Sequence, residues 1–177
     1  LAIRPAHSHP QRHVRQRLRD RGGRRVRALL GEHGLQSECL IALVDQALEQ
    51  VNAAFKDWRR TSFAQRSALM QRAGAYLRQH KERFARLITL EMGKPITQAE
   101  AEIEKCAWNC DFYAEHAPKF LADEHAETGA QESFVAFEPL GTVLAIMPWN
   151  FPFWQVFRFL APALMAGNGA VLKHASN

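Results

Sequence analysis

TVLAIMPWNFP, residues 142–152, contains the strongest local evidence for the fold of this chain. Its first six residues are apolar or β-branched without interruption, which is typical of a strand that is buried on both faces of a parallel sheet. Pro148 and Pro152 then end the strand and restrict the backbone between them. Asn150 therefore follows the carboxyl end of a buried strand, where open α/β sheets bind their ligands.

The residues after this stretch predict a second strand parallel to the first. A helix is expected from about Phe153 to Met165, a turn at Gly167-Asn168-Gly169, and a strand from Ala170 to Lys173. Strand, helix and strand form a βαβ unit, so residues 141–177 predict the beginning of an open α/β sheet. Because two strands leave most of a sheet uncovered, we expect the fold to be incomplete within this chain.

Upstream of the sheet, residues 37–122 read as four helices, because apolar residues recur at three- and four-residue steps. The first is expected over about 38–59 with Ser37 as N-cap, and the second begins after Thr61 or Ser62. The third ends at Gly93-Lys94-Pro95, and the fourth runs from about Thr97 to His116 and is closed by Pro118. Arg66, Gln71, Arg72 and Arg78 are predicted to lie outside. The side chains expected to face inward are, helix by helix, Leu40, Val44, Ala47, Leu48, Val51, Phe55 and Trp58; Phe63, Leu69, Ala73, Tyr76 and Leu77; Phe84, Leu87, Ile88 and Leu90; and Ile103, Cys106, Ala107, Cys110, Tyr113 and Ala114.

Between the helices and the sheet, the apolar period changes to two. Residues 134–137 alternate Phe134 and Ala136 on one side with Val135 and Phe137 on the other, which predicts a strand. We assign residues 123–140 to a hairpin of the kind that joins subunits. An interaction protein that docks on a partner through this strand is therefore one alternative function.

Residues 1–36 form a basic leader that differs from the rest of the chain. It contains nine arginines and only two acidic residues, Asp20 and Glu32, so the positive net charge of the chain, +5, comes from this leader. A nucleic-acid-binding arm and an organelle transit peptide are two interpretations. The leader contains no aromatic residue for base stacking and little serine, so we favour a disordered tail or an out-of-frame translation product.

Composition limits the compartment and the class of site. No apolar run reaches the roughly 18 residues that cross a bilayer, and the first 35 residues contain no secretory signal. The three cysteines Cys39, Cys106 and Cys110 suit a reducing compartment, so we predict a cytoplasmic protein. Cys106 and Cys110 lie one helical turn apart, but no further ligand pair is near, and we interpret them as core residues rather than as a metal site.

Spaced motifs occur along the chain at Ala53-Ala54-Phe55 to Trp58, Glu91 to Pro95, Pro139-Leu140-Gly141, Pro148 to Pro152, Ala166-Gly167-Asn168 and Val171-Leu172-Lys173. Together and in this order, they strongly resemble the aldehyde dehydrogenase superfamily. Ala145 to Pro152 followed by Trp154-Gln155-Val156 is most similar to succinate-semialdehyde dehydrogenases. The resemblance covers about Asp45 to Asn177. It implies an N-terminal part of the aldehyde dehydrogenase fold, in which a helical segment precedes the start of a Rossmann-like parallel sheet.

The resemblance also implies a cofactor, NAD or NADP, and the residues that contact it. Ile146, Pro148 and Trp149 match contacts to the dinucleotide, and Lys173 matches the lysine that holds the adenosine ribose. NAD-preferring members often carry a Glu three residues after that lysine. Here Ser176 stands at this position, and since Ser does not repel a 2′-phosphate, NAD and NADP both stay open.

Catalytic and substrate roles follow residue by residue. Asn150 matches the amide that stabilises an oxyanion, although a turn Asn between prolines is an equal interpretation of the residue alone. Arg158 is a lone guanidinium on an apolar helix and needs a partner or a route to water. With Trp154 it matches the substrate channel, where an Arg would hold the distal carboxylate of a semialdehyde.

These matches predict part of an NAD(P)-dependent enzyme that oxidises an aldehyde, with succinic semialdehyde as the expected substrate, in a homo-oligomer of two or four subunits. The family's nucleophile is a Cys in a Gly-Gln-x-Cys setting, assisted by a Glu base. None of the three cysteines lies in that setting, so we expect this chain alone to be inactive. A truncated non-catalytic subunit and a basic-arm nucleic-acid binder are the alternatives.

Overall fold

The computed structural model describes residues 34–128, 130 and 132–175. For residues 34–39 it describes only the backbone. The basic leader, and every interpretation of it, therefore lies almost wholly outside the described residues. The chain divides into two compact units, residues 1–47 and 48–177, and the contacts below belong to the second. No described helix is long and apolar enough to cross a membrane. The elements are α1 Gly34–Trp58, α2 Phe63–Gln79, α3 Lys81–Met92, α4 Ile96–Phe120, β1 Glu124–His125, β2 Phe134–Val135, β3 Thr142–Ile146, α5 Trp154–Met165 and β4 Gly169–Lys173.

The core lies where α2, α3 and α5 pack around α4. Its largest fully buried side chains are Ile88, Ile103, Cys106, Cys110 and Met165. The interpretation of the two cysteines as core residues is therefore confirmed. Helices α2 and α4 approach closely at Gly74, where an added Cβ would lie 2.9 Å from a carboxylate oxygen of Asp111 and 3.1 Å from the carbonyl of Ala107. Alanine at this position would therefore require both the Asp111 side chain and the helix contact at Ala107 to shift.

The inward faces of the helices were predicted only in part. The prediction was wrong for four exposed side chains, those of Leu69, Tyr76, Leu87 and Leu90; Leu90 is 83% exposed. In α2 the buried stripe is Met70, Gly74 and Leu77, which is narrower than the apolar pattern in the sequence. Periodicity shows which face is apolar, but the neighbouring helices decide how much of that face is covered.

Arg66 and the first half of α1 are further corrections. Arg66 was predicted to lie outside and is only 6% exposed, because its guanidinium satisfies carbonyl groups at two helix ends. Leu40, Val44 and Leu48 were predicted to face inward and are exposed. The later residues of the same stripe, including Phe55 and Trp58, are half-buried.

Helix ends follow their local chemistry. Ser62, not Thr61, caps α2 in a capping box, since its hydroxyl accepts from the N–H of Gln65 and its own N–H donates to the Gln65 side chain. Gly93 ends α3 with φ 72°, a left-handed conformation that suits glycine. The assignment of Ser37 as an N-cap was wrong, because α1 is already helical from Gly34.

The prediction that Pro118 closes α4 was wrong, because the helix continues past it to Phe120. A proline inside a helix removes the N–H that would bond the carbonyl four residues earlier, here that of Ala114. The hydroxyl of Ser67 on α2 donates to that carbonyl instead, at 2.6 Å. The tertiary contact thus supplies the bond that the proline lacks.

The two sheets have the predicted directions but smaller extents. β1 and β2 pair antiparallel over two residues each, so the strand predicted over 134–137 is shorter than expected. β3 and β4 pair parallel from Thr142 opposite Gly169 to Ile146 opposite Lys173, with α5 between them in the chain, which confirms the βαβ unit. The prediction that β3 is buried on both faces was wrong for the described part of the chain. Leu144 and Ile146 are 62% and 70% exposed, because two strands cover little of each other's faces.

Candidate functional site

The carboxyl ends of β3 and β4 lie side by side and start the candidate site. Ile146 is opposite Lys173 in the parallel register, and the N–H of Met147 donates to the carbonyl of Lys173 at 3.1 Å. At the opposite end of the strands, the buried side-chain oxygen of Asn168 accepts from the N–H of Gly141 at 3.1 Å. The pairing is therefore held at both ends, and the loop after β3 begins next to Lys173.

The loop Pro148–Pro152 is open to solvent at its centre. Asn150 is exposed, and Trp149 before it is half exposed. Phe151 is held by Lys94, because the Lys94 ammonium lies 3.7 Å from the centroid of the Phe151 ring, within the range of a cation–π contact. The loop is thus anchored beside Asn150, while Asn150 itself stays available to a ligand.

A buried carboxylate fixes the residues that directly follow the loop. Glu102 on α4 is 4% exposed, and one of its oxygens accepts from the N–H groups of both Phe153 and Trp154 at 3.0 Å. Its second oxygen bonds the ammonium of Lys94. Phe153, the N-cap of α5, has no side-chain cap of its own, so Glu102 satisfies the free N–H groups and the positive end of the helix dipole.

The sequence analysis did not identify the role of Glu102. The available signal was its position on the apolar face of α4, between Ala99 and the buried pair Ile103 and Cys106. A carboxylate on such a face needs buried partners. Those partners, Lys94 and the start of α5, come from other elements and could not be identified from spacing.

The predicted substrate residues lie on α5. Trp154 is half-buried, and Arg158, one helical turn further, is exposed. No carboxylate of the described residues lies within 4.0 Å of the Arg158 guanidinium, so its requirement is met by a route to water. The amide of Asn109 on α4 donates to the carbonyl of Phe157 at 3.0 Å and fixes α5 against the core.

The residues present fit a dinucleotide. Ile146 and Trp149 offer exposed apolar surface at the strand ends, and Lys173 offers a cation there. No carboxylate of the described chain lies within 4.0 Å of the Lys173 ammonium, which is free to meet hydroxyl or phosphate oxygens. Pro148 is exposed beside them, and Ser176 lies outside the described residues. These contacts stay predictions.

Neither described cysteine side chain suits a nucleophile. Burial raises the pKa of Cys106 far above its ordinary value, and the nearby carboxylate of Glu102 adds to the effect. Burial also raises the pKa of Cys110, to about 11. Because the thiolate is the reactive form, both side chains are inert at neutral pH. The amide of Asn150 can stabilise an oxyanion, but the residues described here do not generate one.

Known proteins resemble the chain over the same region. Residues 36–177 match the family model described as the aldehyde dehydrogenase family. The probable succinate-semialdehyde dehydrogenase [NADP(+)] of Synechocystis sp. is 54% identical over 134 residues. Succinate semialdehyde dehydrogenase [NAD(P)+] Sad of Escherichia coli is 48% identical over 134 residues. Each match covers 76% of this chain.

Solved structures share the fold at lower identity. The crystal structure of succinic semialdehyde dehydrogenase from Streptococcus pyogenes in complex with NADP+ matches with a TM-score of 0.72 and 35% identity, over 75% of this chain and 30% of that one. Gox0499, from a study of cofactor and substrate selection, matches with a TM-score of 0.74 and 37% identity, over 76% and 30%. The chain spans about 30% of the length of the curated relatives. Since the family model matches residues 36–177, which is most of the sequence, the chain belongs to the aldehyde dehydrogenase family.

Proposed function

We propose that the chain forms the cofactor-binding and oxyanion-stabilising part of an NAD(P)-dependent aldehyde dehydrogenase subunit. The observation that carries the proposal is the position of Asn150. It is exposed in a loop at the carboxyl end of β3, beside the end of β4 that bears Lys173. The buried side chains of Lys94 and Glu102 hold the residues that follow it, Phe151 and the start of α5.

The chemistry assigned to Asn150 is stabilisation of charge on the carbonyl oxygen of the substrate. A cysteine thiolate from the part of the subunit that this chain does not match would add to the carbonyl carbon, and the carbonyl electron pair would move to oxygen. The side-chain N–H of Asn150 then donates to that oxygen in an already fixed geometry. NAD or NADP, when bound, would supply the acceptor for the hydride that the substrate loses.

Succinic semialdehyde is the substrate that the site supports best. Arg158 is a solvent-exposed cation on the helix that begins directly after the Asn150 loop, and Trp154 lies one turn before it. A guanidinium pairs well with a carboxylate, which succinic semialdehyde carries at the end opposite the aldehyde. The names of the Synechocystis and Escherichia coli relatives agree with this choice.

On this proposal the chain alone does not oxidise aldehydes, because none of its three cysteines lies in the Gly-Gln-x-Cys setting of the family's nucleophile, and Cys106 and Cys110 are also buried and protonated. A second candidate function, docking of a non-catalytic subunit, rests on the hairpin. Phe134 and Phe137 are 54% and 40% exposed beside an unpaired edge of a two-residue ladder, which suits association with another subunit. We also propose a cytoplasmic location, from the free thiols of the two core cysteines.

A hybrid subunit tests the proposal. It joins the full 177-residue chain to the part of the Escherichia coli Sad protein that follows the matched segment. We expect reduction of NAD or NADP with succinic semialdehyde by the hybrid and none by the chain alone. Asn150→Ala should lower kcat by about 100- to 1000-fold, the usual effect of losing one oxyanion donor.

Asn52→Ala is the matched control, because the exposed Asn52 side chain accepts a hydrogen bond from the Thr142 hydroxyl at the start of β3 and, among the described residues, has no other side-chain partner. It should leave kcat within about twofold, as expected for a polar contact at the surface. A hybrid that folds and assembles but reduces neither cofactor would refute the proposed function. So would an Asn150→Ala variant with an unchanged kcat.

A further inference from the structure

A small cavity lies beside the Asn150 loop, between α4 and the start of α5. Its volume is about 260 Å³, and it is lined by Gln98, Ala101, Glu102, Lys105, Phe151 and Trp154. Two of these residues belong to the elements already assigned to the reaction. Phe151 is the neighbour of Asn150, and Trp154 is a candidate substrate residue. The cavity is therefore placed to receive the part of an aldehyde that extends away from its carbonyl group.

Lys105 gives this cavity a positive charge. Glu102 contributes a carboxylate, but Lys94 neutralises it through a buried ion pair. The ammonium of Lys105 is not neutralised in this way, because no carboxylate of the described residues lies within 4.0 Å of it. Counting these three groups, the cavity carries one unpaired positive charge next to a hydrogen-bonding amide, that of Gln98.

The ammonium of Lys105 is also held in place. It lies 4.0 Å from the ring centroid of Trp154, a cation–π distance that orients the side chain along the cavity wall. Arg158 follows Trp154 by four residues on α5, so both occupy the same face of that helix. A bound anion beside Trp154 would thus meet a cation from each of two helices.

We propose that Lys105 is a specificity-determining residue, which together with Arg158 binds the distal carboxylate of the substrate. The inference rests on the proposed function and deepens it. Lys105 would favour aldehydes that carry a carboxylate at the far end over uncharged aldehydes of the same length. An uncharged end would leave the Lys105 ammonium without an anionic partner. Trp154 then has two roles, since it packs against the substrate chain and holds the Lys105 ammonium.

The catalytic test compares two aldehydes in the hybrid subunit. Lys105→Met should lower kcat/KM for succinic semialdehyde by about 10- to 100-fold, the range for one hydrogen bond to a charged group, and leave kcat/KM for butanal within about twofold. Lys105→Arg should retain most of the selectivity, because it retains the charge. Lys119→Met removes an exposed lysine in the last turn of the same helix, outside the cavity, and should change neither value.

A binding test uses the full chain alone and needs no catalysis. Succinate is titrated while the indole N–H signal of Trp154 is followed by NMR. We expect a saturable shift in the wild-type chain and in Lys119→Met, and a loss of the shift in Lys105→Met. An inactive hybrid with Lys105-dependent succinate binding would refute the proposed function and support the carboxylate site.

Other outcomes overturn the inference. An active hybrid in which Lys105→Met lowers kcat/KM equally for both aldehydes would show a structural role, and an unchanged selectivity would show none. An inactive hybrid whose chain shows no Lys105-dependent succinate shift would refute both proposals. If the hybrid is selective through Lys105 but the chain alone does not bind succinate, the inference stands, and the site requires the rest of the subunit.

Discussion

Replacing Glu102 tests the contact that positions the Asn150 loop. Glu102→Ala removes the acceptor for two N–H groups at the start of α5 and leaves the buried ammonium of Lys94 without its anion. Breaking a buried ion pair from one side costs about 3–5 kcal/mol. We expect a decrease of that size in the free energy of unfolding. For a domain of this size it is a large share of the total stability.

The reverse substitution should cost less. In Lys94→Met the carboxylate of Glu102 keeps both N–H donors and the positive end of the α5 dipole, so we expect a loss of about 1–3 kcal/mol. The double variant Lys94→Met/Glu102→Gln keeps a neutral acceptor for the helix and leaves no buried charge. It should therefore be more stable than Glu102→Ala. The order of the three variants distinguishes a helix-capping carboxylate from a simple ion pair.

Urea unfolding of the full chain, followed by far-UV circular dichroism at pH 7, measures these differences. Glu104→Ala is the control. Within the described part of the chain this exposed carboxylate on the same helix pairs with Arg78 alone, at the surface, so its removal should cost less than about 1 kcal/mol. If Glu102→Ala leaves too little folded chain at zero urea, the expected order still requires that Lys94→Met and the double variant are folded there and unfold at measurable urea concentrations. The reasoning would be refuted if Lys94→Met were as destabilising as Glu102→Ala, or if both stayed within 1 kcal/mol of the wild type.

Two further predictions concern buried groups. Arg66→Met should lower the free energy of unfolding by at least about 3 kcal/mol, because the guanidinium donates to the carbonyls of Met165 and Arg59 and to the Thr61 hydroxyl; urea titration checks this, and a loss below 1 kcal/mol would contradict it. The Cys110 thiol has a raised folded-state pKa of about 11, so its contribution to stability is fully present below about pH 9 and falls as the pH rises towards 11. The stability of the wild type should therefore approach that of Cys110→Ala over this range, and a constant difference between the two curves would exclude the effect.

Local chemistry made much of the fold predictable from the sequence. The capping box at Ser62, the stop at Gly93 and the βαβ unit around Asn150 each depend on a few neighbouring residues and the backbone conformations that they favour. The same holds for the strand ends, because prolines and glycines act on their own backbone. The candidate site residues Asn150 and Lys173 could be located for this reason, although their roles came from resemblance to a family.

The order of the helices and strands, and the edge of the sheet at which Asn150 lies, could therefore be predicted from the residues alone, because both follow from local periodicity and backbone restriction. The long-range partners of the buried polar groups could be identified only in the folded chain. Glu102 caps a helix about 50 residues away in the chain, and Arg66 reaches a carbonyl 99 residues away. Ser67 bonds the carbonyl that Pro118 leaves free. Packing determines these partners, because a buried polar group can form hydrogen bonds only with groups that the fold places next to it. The periodicity of the sequence does not identify those groups.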